Sequence, residues 1–202
     1  MTRPFIHLNF AVDRAGRMGA DDGTSLQISS AEDWCRVHQL RERSDAVAVG
    51  MATWLADRPR LDVRSSRLGR RPKRQPARVI FAGSRSCWIP EDGRRTFVVG
   101  SSAVSGGLAQ LVRCRGHVLG ESLAVLHESG IRSLMVEGGK TLLGSFLSQG
   151  YYDEISVFVP TGSVTEAHRV VEAALPGLPT LQGELFGEGT LLVSGLRTRD
   201  EL

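Results

Sequence analysis

Ser133-Leu134-Met135-Val136-Glu137-Gly138-Gly139-Lys140-Thr141-Leu142-Leu143 reads as a strand, a glycine turn and the start of a helix. Leu134 to Val136 is a short apolar run of the kind that is buried as a strand. Glu137 places one carboxylate where that strand ends. Two glycines follow, then a hydroxyl residue and an apolar helical pattern through Phe146 and Leu147. This order makes a natural anion site, because glycine lets the backbone approach a ligand and the free N–H groups of the first helical turn point at it. Two named motifs are excluded. The phosphate loop ending Gly-Lys-Thr needs a glycine where Leu134 stands, and the three-glycine dinucleotide fingerprint lacks its third glycine. From this stretch alone, a plain turn and a phosphate site remain equally good readings.

The pattern on either side of this stretch has the same alternation of strand and helix. Phe5 to Val12 is rich in strand formers and runs into a long loop, Asp13 to Thr24, with Gly16, Gly19 and Gly23. Loops of this length after a first strand are more often functional than idle. Ser29 or Ser30 caps a helix to about Arg43, with Glu32 and Asp33 in the first turn. Trp34, Val37, His38 and Leu40 or Arg41 share one face of it. Ala46 to Gly50 reads as a strand buried on both faces, as in a parallel sheet. Met51 to Leu55 makes a helical turn. The arginine-rich segment 64–78 reads as an exposed loop. Further strands are expected at Arg78 to Ala82, Thr96 to Gly100, Ile131 to Val136 and Asp153 to Val159. Helices are expected at Leu119 to Ser129, closed by Gly130, and at Thr141 to Gln149. Leu108 to Cys114 fits either type. The end is less regular, with a helix over Glu166 to Leu175 and a late strand over Thr190 to Val193. Strands alternating with helices argue for an α/β class, and no clear linker divides the chain.

The totals narrow the function. The 202 residues carry a net charge of +3, too little to require a nucleic-acid partner, and Lys73 and Lys140 are the only lysines. Cys35, Cys87 and Cys114 are scattered and show no metal-ligand spacing, so no metal site is expected and a reducing compartment is. No signal peptide and no membrane-spanning run are visible, which leads to the expectation of a soluble cytoplasmic protein without a membrane partner. His7 and His38 read as structural, and His117, His127 and His168 as surface residues.

Several motifs, taken in order, resemble the pyrimidine reductases of riboflavin biosynthesis, a family with a dihydrofolate-reductase-like fold. They are Ser25-x-x-Ile28-Ser29, Arg36-Val37-His38-x-Leu40-Arg41, and Asp45-Ala46-Val47-x-Val49-Gly50-x-x-Thr53-x-Leu55-Ala56-Asp57-x-Pro59-Arg60-Leu61-x-Val63-Arg64. Ile131-Arg132-Ser133-Leu134-x-Val136-Glu137-Gly138-Gly139-x-Thr141-Leu142 and Asp153-Glu154 complete the set, over roughly 3–160. The resemblance implies an α/β fold with a central, mostly parallel sheet flanked by helices in a single domain over 1–202, a homodimer, NADPH as hydride donor (NADH being possible) and a ribosylamino-pyrimidine 5′-phosphate whose ribose is opened and reduced to ribityl. The sequence shows no deaminase motif and looks more like the stand-alone archaeal and fungal enzymes. Asn9, where fused bacterial forms commonly carry lysine, agrees.

Carried over by position, the resemblance puts Thr53, Asp57, Gly138, Gly139, Lys140 and Thr141 on the cofactor, with Ala11 and Gln27 toward the nicotinamide. It puts Ser25, Arg41, Leu61, Arg64 and Glu137 on the substrate. Asp57 and Glu137 are the catalytic candidates, Asp57 (or a bound water) as proton source. Arginine forks suit a phosphate dianion, and a strand-end carboxylate suits pyrimidine N–H groups. Without the resemblance Arg41 and Arg64 would read as surface arginines, Thr53 as a helix cap and Asp57 as a brace for the proline turn. The sequence departs from the family at Ala15-Gly16, at Ala82-Gly83-Ser84, at Thr161-Gly162-Ser163, and at Lys140, where a third glycine is usual. A reductase acting on another pyrimidine or a pterin, or a nucleotide-binding relative without chemistry, are the alternative functions.

Overall fold

The computed structural model describes residues 2–19, 26–101, 104–107, 109–113 and 119–194. Its strands are β1 (Phe5–Ala11), β2 (Ala46–Gly50), β3 (Ala77–Gly83), β4 (Cys87–Ile89), β5 (Thr96–Gly100), β6 (Val104–Gly106), β7 (Ala109–Arg113), β8 (Ser133–Gly138), β9 (Glu154–Val159), β10 (Leu181–Phe186) and β11 (Gly189–Ser194). Its helices are α1 (Ala31–Arg43), α2 (Met51–Asp57), α3 (Ser65–Leu68), α4 (Leu119–Glu128), α5 (Lys140–Ser148) and α6 (Val164–Ala174). Nine strands form one sheet in the order β10-β11-β9-β1-β8-β2-β3-β5-β7, and β4 and β6 pair separately. From β9 to β7 every pairing is parallel; β11 against β9 and β10 against β11 are antiparallel. The undecided segment near 109 is thus a strand, and the late strand has a partner, β10, whose polar residues hid it.

Helices cover both faces. Alternate residues of each central strand feed two cores, which is why Ala46 to Val49 show no polar residue at all. On one face Ala46, Ala48, Leu134 and Val136 pack with Leu123, Leu143, Phe146 and Val171 of α4, α5 and α6. On the other Val47, Val49 and Met135 pack with Val37 and Leu40 of α1 and Met51 and Trp54 of α2. Ser30 is the cap of α1, its hydroxyl accepting the Asp33 N–H at 3.2 Å.

The arginine-rich segment differs from the solvated loop its composition suggested. It straps the end of α1. Arg70 forks onto Glu42 at 2.9 and 2.5 Å, and the Lys73 N–H reaches the same carboxylate at 2.6 Å. Arg74 donates to the Glu42 carbonyl at 2.6 Å, to the Arg43 carbonyl and to Asp45. The last carbonyls of a helix lack partners within it and attract cations, so the basic residues are spent on a helix terminus.

Candidate active site

The connections fix where a ligand binds. From β2 the chain leaves through α2 toward β3; from its neighbour β8 it leaves through α5 in the opposite sense, toward β9. Two adjacent parallel strands whose outgoing chains diverge leave a crevice at their carboxyl ends, the usual ligand site of an open α/β sheet. A cleft of about 660 Å³ lies there. One wall is Gly50 to Thr53, the other Gly139 to Leu142. Phe81 to Arg85 and Gly100 to Ser101 extend it across β3 and β5.

Its chemistry suits an elongated polyanion. Gly139 precedes the first turn of α5 with φ +87°, a left-handed conformation that only glycine adopts freely. A Cβ there would sit 3.2 Å from the Thr53 hydroxyl, so the two walls close on one point. Lys140 and Thr141 are exposed in that turn. At the other end lies Arg85, also exposed. Neither the Lys140 nor the Arg85 side chain has a hydrogen bond or ion pair to another described residue, and among the described residues no carboxylate lines the cleft. Phe81, Val99, Leu119 and Leu142 give it apolar surface. Helix-terminal N–H groups, hydroxyls, two separated cations and an apolar floor fit a phosphorylated dinucleotide.

Glu137 joins this cleft to the opposite face of the sheet. Ala48 pairs with Val136 and Val49 with Gly138, so Glu137 is an extra residue in the β2–β8 ladder, where a register shift re-aims the side chain. It turns toward α1 and meets Arg41 in a forked pair, Nε to Oε1 at 2.6 Å and Nη2 to Oε2 at 2.7 Å. The remaining Arg41 nitrogen donates to the Asp62 carbonyl at 2.9 Å. Arg41 is only 6% exposed. Burial works against its charge, but the Glu137 carboxylate outweighs that and raises its pKa. The surface reading of Arg41 is therefore corrected. Its fork is already occupied by Glu137, which makes it the holder of that carboxylate and leaves no free fork for a phosphate.

The other site residues are placed unevenly. Thr53, Gly138, Gly139, Lys140 and Thr141 come together around the two helix starts. Asp57 is exposed at the last turn of α2 and does not line the cleft. Ala11 ends β1, half-buried, and Gln27 is exposed. Leu61 has its side chain in the core, 2% exposed, so only its backbone is available to a ligand. Arg64 is exposed and turned onto Asp62 at 3.0 Å, free to swing toward an anion. Ser25 lies outside the described residues. Sequence reasoning missed Arg85, whose only signal was a cation just past a strand end.

A polar cluster lies under α1. Ser156 accepts from Arg36 at 3.1 Å and from His7 Nε2 at 2.8 Å and donates to Asn9 at 2.8 Å, and Arg36 also grips the buried Asp33. His7 and His38 are buried, as expected of structural histidines.

Comparison with known proteins identifies the family. The family model described as the RibD C-terminal domain matches residues 4–169. The 2,5-diamino-6-ribosylamino-4(3H)-pyrimidinone 5′-phosphate reductase of Archaeoglobus fulgidus is 38% identical, over 77% of this chain and 80% of that protein. The protein of the same name from Methanothermobacter thermautotrophicus is 34% identical, over 78% and 77%. Among solved structures, the diaminohydroxyphosphoribosylaminopyrimidine deaminase/5-amino-6-(5-phosphoribosylamino)uracil reductase of Thermotoga maritima superposes with a TM-score of 0.69 at 25% identity, covering 95% of this chain and 56% of that one. The Saccharomyces riboflavin biosynthesis reductase Rib7 shares the fold, with a TM-score of 0.64 at 18% identity. With its switch-point cleft, its Glu-Gly-Gly strand end and these relatives, the chain belongs to the RibD C-terminal domain family.

Proposed function

We propose that this protein is an NADPH-dependent reductase that converts the ribosyl group of a ribosylamino-pyrimidine 5′-phosphate to ribityl in riboflavin biosynthesis. The observation that carries the reading is Glu137: one residue stands between the dinucleotide cleft and the α1 face, and its carboxylate is held in a fixed orientation by a buried arginine. Bound NADPH supplies the hydride. The protein's own residues bind and orient. Gly139, Lys140 and Thr141 hold the pyrophosphate at the α5 start, and Arg85 meets the further phosphate that distinguishes NADPH from NADH. Each Glu137 oxygen keeps a lone pair beyond its bond to Arg41, so the carboxylate accepts pyrimidine N–H groups and sets the ring against the nicotinamide. Arg64 swings from Asp62 to the substrate phosphate. The C1′–O4′ bond of the ribose opens, hydride reaches C1′ while the C1′–N bond is kept, and the freed O4′ takes its proton from water or from Asp57, whose exposed position favours water. Two archaeal relatives named for the diamino substrate match over more than three quarters of their length. That supports the diamino compound as substrate, before deamination. A homodimer is part of the proposal.

The test is NADPH oxidation, followed by absorbance, with the diamino and the deaminated ribosylamino-pyrimidine phosphates side by side. Turnover with the diamino compound preferred is the expected result. Binding of NADPH without turnover of either compound would leave a nucleotide-binding protein and sink the proposal.

A further inference from the structure

The segment between α2 and α3 is held in a conformation its own sequence does not favour. Arg58 (φ +44°) and Leu61 (φ +52°) both occupy the left-handed region without being glycine. No sheet pairing stabilises residues 60–64. Their backbone is held instead by four side chains from elsewhere in the chain. Gln75 donates to the Val63 carbonyl at 2.7 Å and accepts its N–H at 2.8 Å. His38 Nδ1 accepts the Arg64 N–H at 3.0 Å, and Arg41 holds the Asp62 carbonyl. The strained turn itself is held by Arg94, just ahead of β5. Its guanidinium donates to the carbonyls of Arg60, of Leu61 at 3.0 Å and of Pro76 at 2.7 Å.

Arg94 is an unusual choice for a surface turn. Its partners are carbonyls, and no carboxylate lies within ion-pair distance of it among the described residues. Its Nε is buried without a partner, as is that of the neighbouring, fully buried Arg78. Burial and Arg78 together push its pKa down to about 10. A cation placed at such a disadvantage ties the two peptide units flanking Leu61 to the Pro76 carbonyl just ahead of β3. Those peptides set the direction of the chain into Asp62, whose carbonyl is the second anchor of Arg41, and Arg41 is the fork that orients Glu137. A continuous line of contacts therefore runs from Arg94 through the turn to Arg41 and the strand-end carboxylate.

We propose that Arg94 is a positioning residue for the pyrimidine phosphate: it fixes the left-handed turn at Leu61, and through it the Arg41–Glu137 pair and Arg64. The proposal rests on the function given above. The variants are Arg94→Ala and Arg94→Lys in the full chain. Hydrogen exchange reads the strap without any assumption about activity. In Arg94→Ala, exchange over residues 60–64 is expected to accelerate while the β1 and β8 amides keep their protection. The KM for the pyrimidine phosphate is expected to rise about tenfold with kcat changed far less, and the Kd for NADPH to stay put, since the cofactor cleft lies on the other side of Glu137. Arg94→Lys, which keeps the charge and one or two of the bonds, should fall between. Arg94 lines a solvent-open pocket of about 390 Å³, so millimolar guanidinium should restore part of the alanine variant's KM, an effect that general destabilisation would not produce. Unchanged exchange at 60–64, a KM that does not move, or a KM and an NADPH Kd that rise together would each overturn the proposal. If Arg94→Ala does not fold, the same comparisons are made with Arg94→Lys. Absence of turnover by the unmodified protein would instead overturn the function, and the exchange result would show separately whether the strap exists.

Discussion

At the scale of single residues, the Arg41–Glu137 pair is the feature whose loss is most costly. Both partners are largely shielded from water and share two short bonds. Removing one partner strands the other charge, which typically costs about 3–5 kcal/mol, whereas removing both leaves no orphan. Arg41→Met is therefore expected to lower stability far more than Arg41→Met/Glu137→Gln, and urea unfolding of the four members of that cycle measures the coupling. Arg41→Lys keeps the charge but loses the fork. It should fold and lose about a hundredfold in kcat/KM, equivalent to about 2.7 kcal/mol. This burial was only half legible. The helical spacing put position 40 or 41 on the inner face, but an arginine is ordinarily outside, and its partner stands 96 residues further along the chain. Arg85 makes a different prediction. Among the described residues its side chain has no partner, so Arg85→Ala should raise the KM for NADPH about tenfold or more, the worth of a charge-assisted bond, and leave the KM for NADH nearly unchanged. Steady-state kinetics with both cofactors checks this; an equal change for both would place the extra phosphate elsewhere.

At the scale of elements, the start of α5 at the cleft depends on the glycine backbone of Gly139. Gly139→Ala combines an unfavourable φ of +87° with a Cβ 3.2 Å from the Thr53 hydroxyl. The expected result is a folded protein destabilised by about 1–2 kcal/mol. Its NADPH affinity should fall at least tenfold, and thermal unfolding with a fluorescence titration measures both. Adding Thr53→Ala relieves the contact but not the backbone, so it should restore little. The elements themselves were legible where one physical signal dominated. Ala46–Gly50 and Thr96–Gly100 are apolar on both faces because both faces are covered, and Ser30 marks the start of α1 through a side-chain bond. What stayed illegible was short or polar. β4 and β6 have three residues each, too few for a period to show, and β10 exposes four successive residues at the edge of the sheet. The strap over α1 was hidden for another reason: composition reports that residues 64–78 are basic but not that a helix end 32 residues before Arg74 needs them.

At the scale of the whole molecule, two buried histidines tie stability to pH. His7 lies between Ser156 and Glu154, and burial, reinforced by Arg36 and Arg43, pushes its pKa down to about 3. His38 accepts a backbone N–H, and burial, with Arg41 and Arg64, pushes it down to about 4, Asp62 acting the other way. Both are neutral in the folded protein at pH 7, so His7 and Glu154 do not form an ion pair there. In the unfolded chain each takes a proton near pH 6.5. Their contribution is therefore complete above pH 6.5 and is lost as pH falls from there toward 4 and 3, because only the unfolded state binds the protons. Glu42, held at about 2 by Arg70, adds a loss only below its ordinary range near 4.5, and Glu154, raised by burial, works in the opposite sense. The interval from pH 6.5 to 5 thus belongs mainly to the histidines. There His7 adds a slope of up to about 1.4 kcal/mol per pH unit, and His38 a smaller one. Urea unfolding at pH 7.0, 6.0 and 5.0 should show that fall, and His38→Asn, whose side-chain oxygen can accept the same N–H without titrating, should remove the His38 share of it and leave that of His7. The substitution has a second consequence, because protonated His38 cannot accept the Arg64 N–H. Acid should loosen residues 60–64 in the unmodified protein before it unfolds the sheet, and the asparagine variant should keep its low pyrimidine KM to a lower pH. A pH profile identical in the two proteins would show that His38 serves the core alone and has no part in holding the substrate side of the site.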